Sequence, residues 1–216
     1  MLPNDKPLLI LGTGLFAVEI ADLATEIPGV TVAGFVENMD RQKCARPLDG
    51  KPVHWIDDLN EQLQTHRFVC GLGTTHRGRF TDQIASRGGE FATLVHPSAR
   101  VPATSSLGPG TILNVGVIIA SHTILGAHVC VNRGATIGHH TRLDDFVTIG
   151  PGVNLAGSCH IGSAVYVGIG ATIIDHIKIG ARSVVGAGAV VTAEVPERVL
   201  VVGVPAKIVK RDIEGK

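Results

Sequence analysis

A chain of 216 residues with 19 basic and 19 acidic side chains has no formal net charge and is long enough for one large or two small domains. The balance removes any electrostatic case for a nucleic-acid or anionic-membrane partner, and no apolar run approaches the ~20 residues that span a bilayer. Four cysteines (Cys44, Cys70, Cys130, Cys159) lie without metal or disulfide spacing, which fits a reducing cytoplasm.

The opening Met1 to Pro7 is polar and leads into a strand, unlike a signal peptide. Pro7 to Leu11 reads as a buried strand running into Gly12-Thr13-Gly14, and Leu15 to Ile27 carries helical apolar spacing through Val18, Ile20, Leu23 and Ala24. A second strand, Val30 to Val36, ends at Glu37-Asn38. A third, Phe68 to Leu72, precedes a helix near Thr74 to Ser86, and Phe91 to Val95 leads into a long repeat. Strands alternating with helices predict a small parallel α/β domain over residues 1–94.

The loop Gly12-Thr13-Gly14-Leu15-Phe16-Ala17 fits G-x-G-x-x-A, with Glu37 at the end of the next strand. In that pattern backbone amides and a helix N-terminus receive phosphate. About 94 residues is roughly half of a complete dinucleotide domain, so a mononucleotide or nucleotide-sugar site fits better than NAD. A glycine turn serving packing alone is the third reading. The candidate contacts are Gly12, Gly14, Phe16, Glu37, Asn38, Gly73 and Thr74.

From Val95 to Pro196 seventeen consecutive hexads each begin with Ile, Leu or Val, a run that chance would give at roughly 10⁻¹⁰. The fifth position of each hexad is small or β-branched throughout, from Ala99 to Val195. A period of six is neither helical nor free strand alternation, and it predicts a parallel β-helix with one short strand and one corner per hexad. Glycine is frequent at position two (Gly108, Gly126, Gly138, Gly150, Gly162, Gly168, Gly180, Gly186), which reads as a corner with unusual backbone angles. Three hexads per turn give a prism over 95–196, and the register fails at Glu197, leaving 197–216 as a C-terminal tail.

Ten histidines are many for this length. His139 is third in its hexad, near a corner and pointing outward. His122, His140, Ser158 and His176 share the fourth position at intervals of 18, so they form one column, with neighbouring coils about 4.8 Å apart. No cysteine or carboxylate joins that column, and no metal is expected. His96, His128 and His160 read as surface or corner residues, and Cys159 as packing.

The repeat resembles the left-handed β-helix of the hexapeptide acyltransferases, and Gly203-Val204-Pro205-Ala206-Lys207 matches the segment closing that family's prism. The two-part order resembles, over essentially the whole chain, the sialic-acid O-acetyltransferase-like family, which includes bacterial nucleotide-sugar 4-amino N-acetyltransferases. The resemblance implies a Rossmann-like half-domain holding the nucleotide and a prism holding acetyl-CoA. It also implies a cytoplasmic homotrimer acting in surface-glycan or lipopolysaccharide biosynthesis. Asn132-Arg133-Gly134-Ala135-Thr136-Ile137-Gly138-His139 matches the stretch carrying that family's catalytic histidine.

The chain departs from the family at three places. Its first loop has Phe16 where a substrate-facing histidine often lies, and its acidic pair is Glu37-Asn38. The acid that usually comes after the catalytic histidine is His140, so Asn132, Asp144 or a backbone carbonyl is left to orient His139. By resemblance, acetyl-CoA runs in a groove between adjacent prisms past Gly157, Ile169 and Ala187, with Lys207 meeting its phosphates. His139 as general base then transfers acetyl directly to a 4-amino group of a nucleotide-linked sugar, with a corner amide stabilising the oxyanion. The alternatives are a sialic-acid-type sugar O-acetyltransferase, and a non-catalytic scaffold or regulatory nucleotide-binding protein.

Overall fold

A computed structural model of the chain describes residues 6–216; most of the polar opening lies outside them. The chain forms two compact units. One comprises residues up to Gly73 together with Arg77–Leu94, and the other Thr74–His76 with Val95–Lys216.

The first unit runs β1 (Leu8–Leu11), α1 (Leu15–Thr25), β2 (Val32–Glu37), β3 (Val53–Trp55), α2 (Gln62–Thr65), β4 (Arg67–Cys70), α3 (Gly78–Ala85) and β5 (Glu90–Phe91). All five strands are parallel, in the order β3-β2-β1-β4-β5. Leu8-Leu9-Ile10-Leu11 is buried along its whole length, as expected for a central parallel strand covered on both faces. The chain steps outward from β1 to β3, then returns to the other side of β1 with β4. The order therefore reverses between β1 and β4, the position where open α/β sheets leave a crevice at the carboxyl ends of their strands.

Two glycines allow that close packing. A Cβ on Gly71 would lie 2.7 Å from the Ala17 Cα of α1, and one on Gly12, at φ +110°, would lie 2.9 Å from a Leu72 methyl. The strand β3 is three residues long, too short to carry an alternation in the sequence. It rests on β2 where Gly34 leaves room for the Pro52 carbonyl.

The second unit is a three-faced prism. One face stacks Ser106–Leu107, Ile124–Leu125, Arg142–Leu143, His160–Ile161 and Lys178–Ile179. The next stacks Ile118–Ile119, Thr136–Ile137, Asn154–Leu155, Thr172–Ile173 and Val190–Val191. The third stacks Leu94–Val95, Ile112–Leu113, Cys130–Val131, Thr148–Ile149, Tyr166–Val167, Val184–Val185 and Leu200–Val202. Partners on consecutive coils are 18 residues apart, as Ile137 is from Leu155, so each turn holds three hexads. Parallel strands in this repeat fit a left-handed β-helix.

Position-one side chains from Leu113 to Val191 are at most 3% exposed and form one continuous core with the buried fifth-position residues. Val95, Val101 and Leu107, at the start of the prism, are only partly buried against it.

The corner geometry corrects the sequence expectation for glycine. Positive φ falls on position four, at Gly134 (φ 67°), Gly152 (φ 64°) and Gly170 (φ 66°), and also at His122 (φ 57°), His140 (φ 56°), Ser158 (φ 58°) and His176 (φ 59°). Position-two glycines are needed for a different reason, the approach of the next coil. A Cβ on Gly138 would stand 2.5 Å from the Gly157 nitrogen, and one on Gly168 2.7 Å from the Ala187 nitrogen.

Residues 197–216 carry ordered strands. Leu200–Val202 pairs with Val184–Val185 at an offset of 16 in place of 18, because two residues are dropped at the register break. Lys207–Lys210 then runs antiparallel to Leu200–Val202.

Candidate active site

His139 stands at the corner between the Thr136–Ile137 and Arg142–Leu143 strands, with its side chain exposed. Its ring lies over the backbone of the next coil. A Cβ on Gly157 would come within 2.8 Å of the His139 Cε1 and Nε2 atoms, so only glycine leaves the ring its place.

Its Nδ1 is 3.1 Å from the Nδ1 of His140, with the two rings edge to face and centroids 5.2 Å apart. The His140 ring in turn lies against that of His122 from the preceding coil, centroid to centroid 4.8 Å, the spacing the repeat predicts. Two candidates for orienting His139 are engaged elsewhere. The Asn132 amide donates to the Ile149 carbonyl (2.8 Å), and Asp144 accepts from Arg142 (2.6 Å) and pairs with His160 (2.8 Å). Burial raises the Asp144 pKa, but those bonds outweigh it and hold the carboxyl below its usual range.

The other histidines sort differently from the sequence reading. His96 is buried, its Nδ1 accepting from the Ser98 amide (3.1 Å), and His128 is buried in a stack with Phe146 at 5.1 Å. Both side chains face packed neighbours, so neither is a surface residue, while His128 (φ 56°) does hold a position-four corner as the sequence reading allowed; His160 alone of the three is exposed. A carboxylate does adjoin the column, since Asp175 lies 3.5 Å from His176. Among the described residues no group of three or more potential ligands could hold a metal ion.

Position-four amides at these corners are committed to the coil before: His140 N–H donates to Ser121 and Ser158 N–H to His139. The Gly157 amide, one residue earlier in its hexad, makes no such bond among the described residues and lies beneath the His139 ring. It is a backbone donor placed to meet a developing oxyanion. Cys159 is buried, its thiol pKa pushed up first by burial, and it donates to the Ile174 carbonyl at 3.2 Å. A thiol so placed is packing, with little thiolate available.

Ile169 (58% exposed) and Ala187 occupy the same hexad position as each other on a different corner of the prism from Gly157, and Lys207 is exposed on the closing strand. Within one chain the three groove residues therefore do not form one wall.

In the first unit, Gly12 and Gly14 come after β1, and Gly73 after β4, so they border the crevice between those strands. Gly14 caps α1 without a side-chain hydrogen bond, and the first turn holds no acidic residue; the Ala17 N–H donates to the Gly14 carbonyl (3.0 Å), and the Leu15 and Phe16 amides make no backbone bond among the described residues. A Cβ at Gly14 would meet nothing within 4 Å. The Phe16 ring covers Gly73, 3.7 Å from where its Cβ would be. Thr74 is exposed and falls in the second unit.

Glu37 is 5% exposed and fully engaged: Thr13 Oγ1 and Lys43 Nζ (3.3 Å) donate to Oε2, and the Asn38 and Met39 amides (2.9 and 2.8 Å) to Oε1. Asn38 reaches away to Gln83 (2.8 Å). Lys43 carries no signal in the sequence, because no motif marks a lysine six residues beyond the strand.

Burial raises the Glu37 pKa, yet these donors together hold it below the ordinary carboxylate value. A carboxyl depressed in the folded state stabilises the fold above its unfolded pKa of about 4.3, and that contribution is lost as pH falls through the folded value. Glu37→Gln is therefore expected to cost about 1–3 kcal/mol at pH 7, with the gap to wild type closing below about pH 4. Urea midpoints at the two pH values check this, and a gap independent of pH would sink it.

Residues 158–193 match the family model for the bacterial transferase hexapeptide (six repeats). No curated protein matches the chain. Among solved structures, a histidine-to-asparagine mutant of perosamine N-acetyltransferase from Caulobacter crescentus, in complex with CoA and GDP-perosamine, aligns with TM-score 0.88 and 31% identity over 94% of this chain and 97% of that one. The acetyltransferase domain of PglB from Neisseria gonorrhoeae FA1090, in complex with acetyl coenzyme A, aligns with TM-score 0.84 and 28% identity over 95% of this chain and 100% of that one. WeeI from Acinetobacter baumannii AYE shares the fold, with TM-score 0.81 and 24% identity over 94% of this chain and 99% of that one.

Proposed function

Because the chain belongs to the hexapeptide-repeat sugar acetyltransferases, we propose that it transfers acetyl from acetyl-CoA to the 4-amino group of a nucleotide-linked amino sugar. The observation that carries this reading is the end-to-end likeness, over 94% of the chain, to an N-acetyltransferase with CoA and GDP-perosamine bound. An exposed His139 with a free backbone amide beneath its ring supports it from the chemistry.

The amine nitrogen attacks the thioester carbonyl while His139 Nε2 takes the proton, and the Gly157 amide receives the charge on the carbonyl oxygen. The carbon–sulfur bond then breaks, and CoA leaves as thiolate and is protonated to the thiol. With Cys159 buried and raised in pKa, direct transfer without an acyl-enzyme is the simpler course.

The first unit is read as a Rossmann-like half-domain that holds the nucleotide at Gly12, Gly14, Phe16 and Gly73, beside the Glu37–Lys43 pair. A homotrimer is proposed because Gly157 belongs to one corner of the prism and Ile169 and Ala187 to another. Two copies meeting at those corners would supply both walls of a CoA groove, with Lys207 near its phosphates. Four free cysteines agree with the cytoplasm, and no helix among the described residues is long and apolar enough to cross a membrane.

Free-thiol release from acetyl-CoA, measured with UDP-, dTDP- and GDP-linked 4-amino sugars and their hydroxyl counterparts, tests the reading. Release with one amino sugar alone is expected. Release with only hydroxyl acceptors would replace N-acetylation by O-acetylation, and silence across the panel would overturn the assignment.

A further inference from the structure

The catalytic histidine of this prism has no carboxylate beside it, and the group that fills that place is another imidazole. The His139 and His140 Nδ1 atoms are 3.1 Å apart, close enough that one hydrogen is shared between them. The arrangement has only two neutral forms. If His140 donates, the His139 Nε2 carries its own hydrogen and cannot accept another. If His139 donates, its Nε2 is bare and lies over Gly157 as a base, and His140 keeps its hydrogen on Nε2.

The His140 ring is fixed by two things: the backbone at φ 56°, which aims the side chain, and the His122 ring packed against it at 4.8 Å. The groups around His140 are accounted for. His122 faces it from the coil before, His139 lies beside it, and Ser158 holds the corresponding position on the coil after. The Asp175–His176 pair stands one coil further on, and Arg142 and Asp144 are bonded to each other.

We propose that His140 is the positioning residue for His139, holding it in the Nδ1–H form and accepting that hydrogen's charge in the transition state, with His122 bracing the His140 ring. The inference rests on the acetyl-transfer reading. When the sugar amine gives its proton to His139 Nε2, the His139 Nδ1 hydrogen moves toward His140 Nδ1, and the positive charge spreads over both rings. When CoA leaves as thiolate it takes one proton, and the pair returns to its neutral form. No further reactant is needed. A carboxylate in the same place would favour the imidazolium more strongly, because an opposite charge stabilises it.

The test uses substitutions that the left-handed backbone accepts, since Asn and Asp adopt positive φ more readily than most residues. His140→Asn can accept the hydrogen bond without carrying charge. It is expected to lower kcat by about tenfold with the KM of both substrates unchanged. His140→Asp is expected to keep kcat within about threefold of wild type and to move the acid limb of the kcat/KM profile to higher pH. His122→Asn, also at a positive φ of 57°, is expected to lower kcat by about threefold, through a looser His140 ring. Wild-type kcat and an unmoved profile in the Asn and Asp variants would overturn the proposal.

Imidazole ¹⁵N NMR of the full chain reads the same pair without any substrate, so it separates a failure of this inference from a failure of the acetyl-transfer assignment. A His139 ring with its hydrogen on Nδ1 and a bare Nε2, disturbed in His140→Ala, supports the pair, and a wild-type His139 with its hydrogen on Nε2 refutes it.

Discussion

Replacing His139 with alanine is expected to lower turnover by about 10²–10⁴-fold while leaving CoA binding intact, because the substitution removes the proton acceptor and little else. The ring is exposed on a corner, and the corner does not depend on it: the His139 carbonyl still accepts from Ser158 N–H at 2.7 Å. The core residues on either side, Ile137 and Leu155, are buried without its help. Steady-state rates with the accepted amino sugar, together with calorimetric titration of CoA, give both halves of the expectation. A rate within tenfold of wild type would move the base elsewhere, and lost CoA affinity would make His139 a binding residue.

The larger effect on stability is expected one residue earlier. Gly138→Ala places a methyl 2.5 Å from the Gly157 nitrogen, and backbone gives way only if the two coils separate. Overpacking of this kind costs about 1–3 kcal/mol in well-packed cores, and rigid backbone on the far side puts this site at the upper end. Gly134→Ala is the control. At φ 67° and with nothing within 4 Å of a new Cβ, it introduces local strain alone, about 1 kcal/mol. Urea midpoints of the two variants should therefore differ with Gly138→Ala the lower, and the reverse order would refute the close-approach account. Gly138→Ala should also slow catalysis, since the shift of coils carries His139 and Gly157 apart.

The prism is legible in the sequence because each hexad repeats one demand: an aliphatic residue inward and a small residue before the next strand. Leu113 to Val191 obey it without exception. What the period cannot say is which corner residue bends. Glycine is common at both positions two and four, and composition does not separate a residue needing positive φ from one needing empty space. His122, His128, His140, Phe146, Ser158, Ala164, His176 and Arg182 at position four hold the answer, since these non-glycine residues at positive φ show that the bend itself tolerates side chains.

In the first unit the strands β1, β2 and β4 are visible as apolar runs, whereas β3 is too short to show a pattern. His139 can be placed from its hexad position, but its partner cannot. Asn132 and Asp144 are reasonable by chemistry and are bonded elsewhere, to Ile149 and to Arg142 and His160. Contacts 16 or 17 residues away depend on rotamers that no spacing rule supplies. Glu37 is marked by its motif, yet its oxygens are filled from Thr13, Lys43 and the adjoining turn, so it shapes the loop from within.

The strand Lys207–Lys210 carries a consequence for solubility. A stack of parallel strands ends in a row of amides and carbonyls ready to recruit another strand, the same growth step by which amyloid fibres lengthen. Here the last strand of the longest face is met by one running the opposite way, with a lysine at each end. Gly203 and Ala206 take up the backbone of Val190 on the adjoining face. An arriving strand finds the direction reversed and its approach flanked by lysines, a charged edge of the kind that blunts strand addition.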